Sequence, residues 1–219
     1  MSSPPRQSAL SIGTRSQQRQ ADALSALADE VVACRACEVA GCLPRANPIR
    51  PPSPVAPRVV LIGQAPGAIT DQKGYHFAGP AGRFLAEWLD RAGFPAGYFR
   101  AHVYLTSLTR CYPGKSRSGN GDRPPSRAEL ALCRHFLDRE LSLIQPRLVL
   151  LVGKMAIDTF LGRRPLTDTV GHVFDLDGVT YLPLPHASGV SRWLNLAANR
   201  ALLDQALREL SRLRVQLDL

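Results

Sequence analysis

Three short apolar runs separated by helix-like segments restrict this chain more than any other feature. Arg58–Ile62 (RVVLI) is an unbroken β-branched and apolar stretch, as a parallel strand buried on both faces requires. His102–Leu105 (HVYL) and Arg147–Val152 (RLVLLV) read as further strands. Val173–Leu176 and Val179–Leu182 flank Asp177-Gly178, a strong hairpin-turn pair. Helical patterns fall between them: Pro80–Ala92, with Phe84, Leu85, Trp88 and Leu89 on one face, and Lys154–Leu161. Ser126-Arg127-Ala128-Glu129 is a capping box that opens a helix to about Ile144. The C-terminus from Leu194 to Leu217 is amphipathic. Strand and helix in alternation predict an α/β fold, a three-layer α/β/α sandwich around a central, mainly parallel four-stranded sheet.

The 219 residues suit a single domain, placed at 21–219. Ala21–Ala33, with Leu24, Leu27 and Val31 at helical spacing, should open it, followed by a Pro-rich connector from Pro44 to Pro57. Residues 1–20, rich in Ser, Gln, Arg and Pro, read as a disordered basic arm. They lack the apolar core of a secretory signal, and no run is long and apolar enough to span a membrane, so a cytoplasmic, monomeric protein is expected. The formal net charge of +9 favours a polyanionic partner.

Several clusters carry possible chemistry. Gly63–Gly67 (GQAPG) follows the first strand directly, where glycines allow a tight turn and close approach of a ligand. The spacing is neither a dinucleotide fingerprint nor a phosphate-binding loop. PHASG, around His186, follows the last strand, and Thr106-Ser107 closes the second. All three fall at carboxyl ends of strands, where open α/β sheets bind ligands. Cys34 and Cys37 form a C-x-x-C pair, and Cys111 and Cys133 can complete a thiolate tetrad for zinc or an iron–sulfur cluster. Cys42 is either a spare thiol or a ligand in place of one of the pair. The loop Arg110–Arg127 carries Lys115, Arg117 and Arg123 among Gly and Pro, either solvated or contacting phosphates.

Together these motifs resemble the uracil-DNA glycosylase superfamily, closest to its family 4, the iron–sulfur type. The early C-x-x-C corresponds to Cys34 and Cys37, and a strand ending in GEAPG or GEGPG corresponds to GQAPG. Gly74-Tyr75-His76-Phe77-Ala78-Gly79-Pro80-Ala81-Gly82 matches G-R-P-F-x-G-x-A-G at Gly, Phe, Gly, Ala and Gly. VYLTSLTRCYPG matches V-Y-x-T-N-x-x-K-C-R-P-P through Thr106, Cys111 and Pro113. A helical Cys ahead of IQPRLVLLVG and a closing His186-Ala187-Ser188 complete the order, across roughly residues 30–210.

The resemblance implies hydrolysis of the N-glycosidic bond of uracil flipped out of DNA, leaving an abasic site, with a 4Fe-4S cluster on Cys34, Cys37, Cys111 and Cys133. Phe77 would stack on the base, with Gly63, Gln64, Ala65 and Ser107 lining the site, and His186 would donate toward uracil O2. Arg110, Lys115, Arg117 and Ser188 would contact DNA, and Arg192 or Leu194 would wedge the duplex.

Three positions depart from the family. Ser107 replaces the pocket Asn, whose paired donor and acceptor suit uracil, and so reads the base through water or poorly. Gln64 replaces the catalytic-motif Glu and cannot act as a base, leaving Asp71 as the nearest carboxylate to orient the attacking water. Tyr75-His76 replaces Arg-Pro. These mark a divergent subfamily. A related branch bonds covalently to DNA through a loop His, and no His lies between Tyr112 and Glu129. The matched motifs hold no Lys for a Schiff base, so a monofunctional enzyme is expected. The alternatives are a non-catalytic binder of uracil- or abasic-site DNA and a metal protein whose cysteines serve redox signalling.

Overall fold

The computed structural model describes residues 8–54, 56–118, 121–187 and 192–219. Five strands form one sheet: β1 (Val59–Gly63), β2 (Val103–Ser107), β3 (Leu148–Val152), β4 (Phe174–Leu176) and β5 (Val179–Leu184). Their order is β2-β1-β3-β5-β4, with all neighbours parallel except β4, which pairs antiparallel to β5. The expected four strands thus become five. The extra one is the edge partner of the hairpin, whose Asp177 (φ 50°) and Gly178 (φ 78°) both take the left-handed conformation of a tight two-residue turn.

β1, β2 and β3 are buried along their whole length, which explains their continuous apolar sequences. Alternate residues feed opposite layers. Val59, Leu61, Leu105 and Leu150 pack with Leu85, Trp88 and Leu89 of α4 (Pro80–Arg91) and with Leu203, Leu207 and Leu210 of α8 (Ala197–Gln216). Val60, Ile62, Tyr104 and Val149 pack on the other face. Their partners are Leu24 of α1 (Ser8–Ala33), Leu137 of α6 (Arg127–Ile144) and Ile157 of α7 (Lys154–Leu161). The three-layer α/β/α sandwich is therefore present. Short helices α2 (Ala36–Val39), α3 (Ala68–Lys73) and α5 (Tyr98–Ala101) fill the connections.

The first helix begins at Ser8 rather than Ala21, so residues 8–20 are not a loose arm; residues 1–7 lie outside the described residues. The Gln20 amide donates to the Leu143 carbonyl at 2.8 Å and so serves a C-terminal carbonyl of α6 that its own helix leaves open. Leu27 and Val31 then pack on Cys133 and Phe136, fixing α1 along α6. α6 starts as expected. Ser126 Oγ accepts from the Glu129 amide and the Glu129 carboxylate accepts from the Ser126 amide, at 3.2 and 2.6 Å. Among the described residues no helix is long and apolar enough to cross a membrane.

Candidate functional site

β1 pairs with β2 on one side and β3 on the other, so the chain reverses direction across the sheet at β1. Such a reversal opens a crevice at the carboxyl ends of the strands. Gly63 and Ser107 are register partners on this rim. An added Cβ on Gly63 would lie 2.9 Å from Cζ of Phe77, so the phenyl ring rests directly on the end of β1.

The chain takes unusual measures to place that ring. Phe77 has φ 54°, a left-handed conformation that bulky residues avoid. Arg100 of α5 donates to the carbonyls of both His76 and Phe77, each at 2.6 Å. A Cβ on Gly82 would fall 1.9 Å from the Phe77 oxygen, so only glycine lets α4 approach this turn. Phe99 meets the ring edge-on with centroids 6.3 Å apart. A backbone this constrained at the carboxyl end of β1 makes Phe77 a candidate site residue.

His186 stands beyond β5, across the rim. Gly153, with φ 86°, turns the chain after β3, and a Cβ there would sit 3.2 Å from His186 Cδ2. His186 keeps solvent access, yet the surrounding strand ends remove part of its water and lower its pKa below 6.5. It is therefore neutral at pH 7, an N–H donor rather than a cation. His76, by contrast, is buried. Burial first, then the charge of Arg110, lowers its pKa to about 3, and its Nε2 has no hydrogen-bond partner.

The Ser107 hydroxyl donates to the Thr109 carbonyl at 2.7 Å, leaving only lone pairs to offer. Gln64 and Ala65 are half-buried in the turn after β1. Asp71 lies in α3, where its carboxylate accepts from the Asn47 amide at 2.9 Å. The amide at the start of α3, on Ala68, donates 3.2 Å to the Asp122 carboxylate from the long loop, which also accepts from the Tyr112 hydroxyl at 2.7 Å. Asp122, Arg100 and Gly153 escape a motif reading because each acts on a distant segment.

Cys34, Cys37, Cys111 and Cys133 line one mainly apolar cavity with Leu43, Pro48 and Pro113. Cys42 does not line it. Burial pushes the Cys37 thiol up to about 11 and Cys111 to about 12, each raised further by its neighbouring thiols. Cys133 is also raised by burial, against the pull of Arg110, whose backbone N–H donates to Cys133 Sγ at 3.2 Å. Among the described residues no three Cys, His, Asp or Glu side chains close around a point tightly enough for one metal ion.

The basic residues divide. Lys115 and Arg117 are exposed on the long loop, and Arg192 is exposed at the turn Arg192–Asn195. Arg110 is 1% exposed and pairs with the fully buried Glu140 at 2.7 Å, so its assignment as a DNA contact is corrected. Arg123 pairs with Glu129 at 2.6 Å, tying the loop to α6. Leu194 is half-buried against the core, whereas Leu196 is 63% exposed. Ser188 lies outside the described residues.

Residues 52–211 match the model of the Uracil DNA glycosylase superfamily. The chain is 28% identical over 181 residues to the Type-4 uracil-DNA glycosylase of Thermotoga maritima, covering 81% of this chain and 88% of that protein. It is 32% identical over 109 residues to the enzyme of the same name from Pyrobaculum aerophilum, covering 48% and 50%. For that from Archaeoglobus fulgidus the figures are 29% over 135 residues and 62% of each chain. The two archaeal alignments take in less than two thirds of those relatives' length. With a superfamily match across more than half its residues and the strand-end rim in place, this chain belongs to the uracil DNA glycosylase superfamily.

Proposed function

We propose that this chain is a monofunctional uracil-DNA glycosylase that takes uracil out of the duplex stack and hydrolyses its N-glycosidic bond. The observation that carries the reading is the Phe77 ring, held across Gly63 with its backbone clamped by Arg100. A flipped base needs a flat apolar face on which to stack, and this ring supplies it. As the C1′–N1 bond breaks, its electron pair leaves with the base and the sugar becomes cation-like. A neutral His186 donates to uracil O2, where the negative charge grows. A water oxygen then bonds to C1′, and the proton it gives up neutralises the departed uracil anion. Asp71 is the carboxylate assigned to orient that water, with Asn47 fixing its side chain. Gln64 lines the base site through its backbone.

Lys115, Arg117 and Arg192, exposed on the surface, would meet phosphates. Leu196, rather than the half-buried Leu194, presents an apolar wedge to the gap in the stack.

The cysteine cavity fits a 4Fe-4S cluster. Four thiols face one apolar space, and a backbone N–H already points at one sulfur. Cys34, Cys37, Cys111 and Cys133 would hold the cluster, which would brace α1, α6 and the long loop rather than take part in hydrolysis.

The test is single-turnover release of uracil from a labelled oligonucleotide, followed by alkaline scission, for the parent and His186→Ala. Release by the parent that falls about a hundredfold or more in the variant supports the reading. No release from single-stranded, U·A or U·G substrates by folded protein overturns it and leaves a binder of uracil or abasic sites.

A further inference from the structure

We propose that Arg110 is a positioning residue that joins the cysteine cavity to the end of β2, so that the state of the thiols sets the place of Ser107. The inference rests on the reading of the strand-end rim as the base site. Three bonds make the connection. The Arg110 backbone N–H donates to Cys133 Sγ at 3.2 Å. One guanidinium nitrogen donates to the Ser107 carbonyl, and the other to Glu140 Oε2 at 2.7 Å. Glu140 Oε2 also accepts from the Thr106 hydroxyl at 2.9 Å, so the last two residues of β2 are both held by this pair. The Ile49 amide, donating to the Arg110 carbonyl at 2.9 Å, fixes the residue from the side of the connector.

Stability alone does not call for this arrangement. A buried ion pair stabilises little compared with apolar side chains of the same volume, and Arg110 and Glu140 are almost wholly buried. What an apolar pair cannot do is spread directed bonds over two segments. The chemistry of the sulfur supplies the control. A neutral thiol accepts a hydrogen bond weakly, whereas a metal-bound thiolate accepts a charge-assisted one. Loading the cavity therefore tightens the bond to the Arg110 amide, and the guanidinium carries that order to Ser107. Ser107 is paired in register with Gly63, on which the Phe77 ring rests.

Hydrogen exchange at the Leu108 amide, which donates to the Gly63 carbonyl at 2.9 Å, reads the end of β2 directly. It is compared in protein loaded with iron and sulfide and in chelator-stripped protein, for the parent and for Arg110→Gln/Glu140→Gln, with Val149–Leu151 amides of β3 as the control. Stripping should speed Leu108 exchange about tenfold or more in the parent and less than about twofold in the double variant. The loaded variant should keep its absorbance near 400 nm and its DNA affinity, yet release uracil about tenfold more slowly. If the double variant does not fold, Arg110→Lys keeps the charge opposite Glu140 without the fork and gives the same comparison. Equal acceleration in parent and variant, no acceleration in the parent, or a parent that takes up no metal at these cysteines overturns the proposal. A parent that responds to stripping but releases no uracil removes the base-site reading instead.

Discussion

Gly63→Ala separates the placement of Phe77 from the stability of the fold. The new Cβ would stand 2.9 Å from Cζ and 3.3 Å from Cε1 of the ring, with the Thr106 carbonyl at an ordinary 3.9 Å. Carbon atoms pack best at about 3.5–4.0 Å, so the ring must move by roughly 0.5–1 Å. The Phe77 backbone cannot absorb the shift, because Arg100 grips two successive carbonyls and Gly82 closes the other side. The ring must swing instead, away from its place over the end of β1. A misplacement near 1 Å costs on the order of a hundredfold in rate. Stability falls by about 0–3 kcal/mol, which leaves the variant folded. The variant gains about 0.4–1 kcal/mol from the reduced freedom of its unfolded chain and loses about 1–3 kcal/mol to local repacking. Urea unfolding beside single-turnover uracil release measures both. A folded variant that keeps the parent rate within about threefold refutes the assignment of Phe77 as the stacking platform.

Cysteine variants test the cavity. Cys42→Ser should retain the absorbance near 400 nm of protein loaded with iron and sulfide, while Cys111→Ser should lose most of it, because only Cys111 lines the cavity. Equal loss in both would bring Cys42 into the ligand set. Acid should also weaken the fold well before the carboxylates titrate. His76 has a pKa of about 3 in the folded chain, below the usual 6.5, so the unfolded chain binds more protons between these values. Its contribution is complete above pH 6.5 and declines as pH falls toward 3. By pH 5 the loss is about 2 kcal/mol. His186, lowered by burial, acts in the same direction. Urea midpoints at pH 7 and pH 5 that agree for chelator-stripped protein would refute this account, and His76→Gln should flatten the difference.

The sequence is legible where one segment decides its own structure. The strand cores are read from runs that need burial on both faces, and the start of α6 from a box of four residues. The start of α1 is not, because Ser8–Gln20 carries no apolar stripe and composition alone suits coil as well as helix. What holds that end is the Gln20 amide on a carbonyl of α6, a partner over a hundred positions away. The same limit governs the site. His186, Phe77 and the glycines of the first turn stand out as motifs, and the four cysteines sort themselves from Cys42 once α1 lies along α6. Arg110 looks like any other arginine of a basic loop until Glu140 appears beside it, from the helix that follows. Ser107 looks like a weakened base reader, and only its bond to Thr109 shows that its proton is already engaged.

The strand order has a further consequence for how the molecule comes into being. β1 lies between β2 and β3, and β5 joins only beside β3, so the rim closes only when strands far apart in the chain have all paired in parallel. Such non-local pairing is slow, since loop-closure entropy is spent before the contacts return it. Phe77 sits in the first part of this sequence of events and His186 in the last, after β5. A chain still emerging from synthesis can therefore hold its cysteines, all within the first 133 residues, in place before it can assemble the rim.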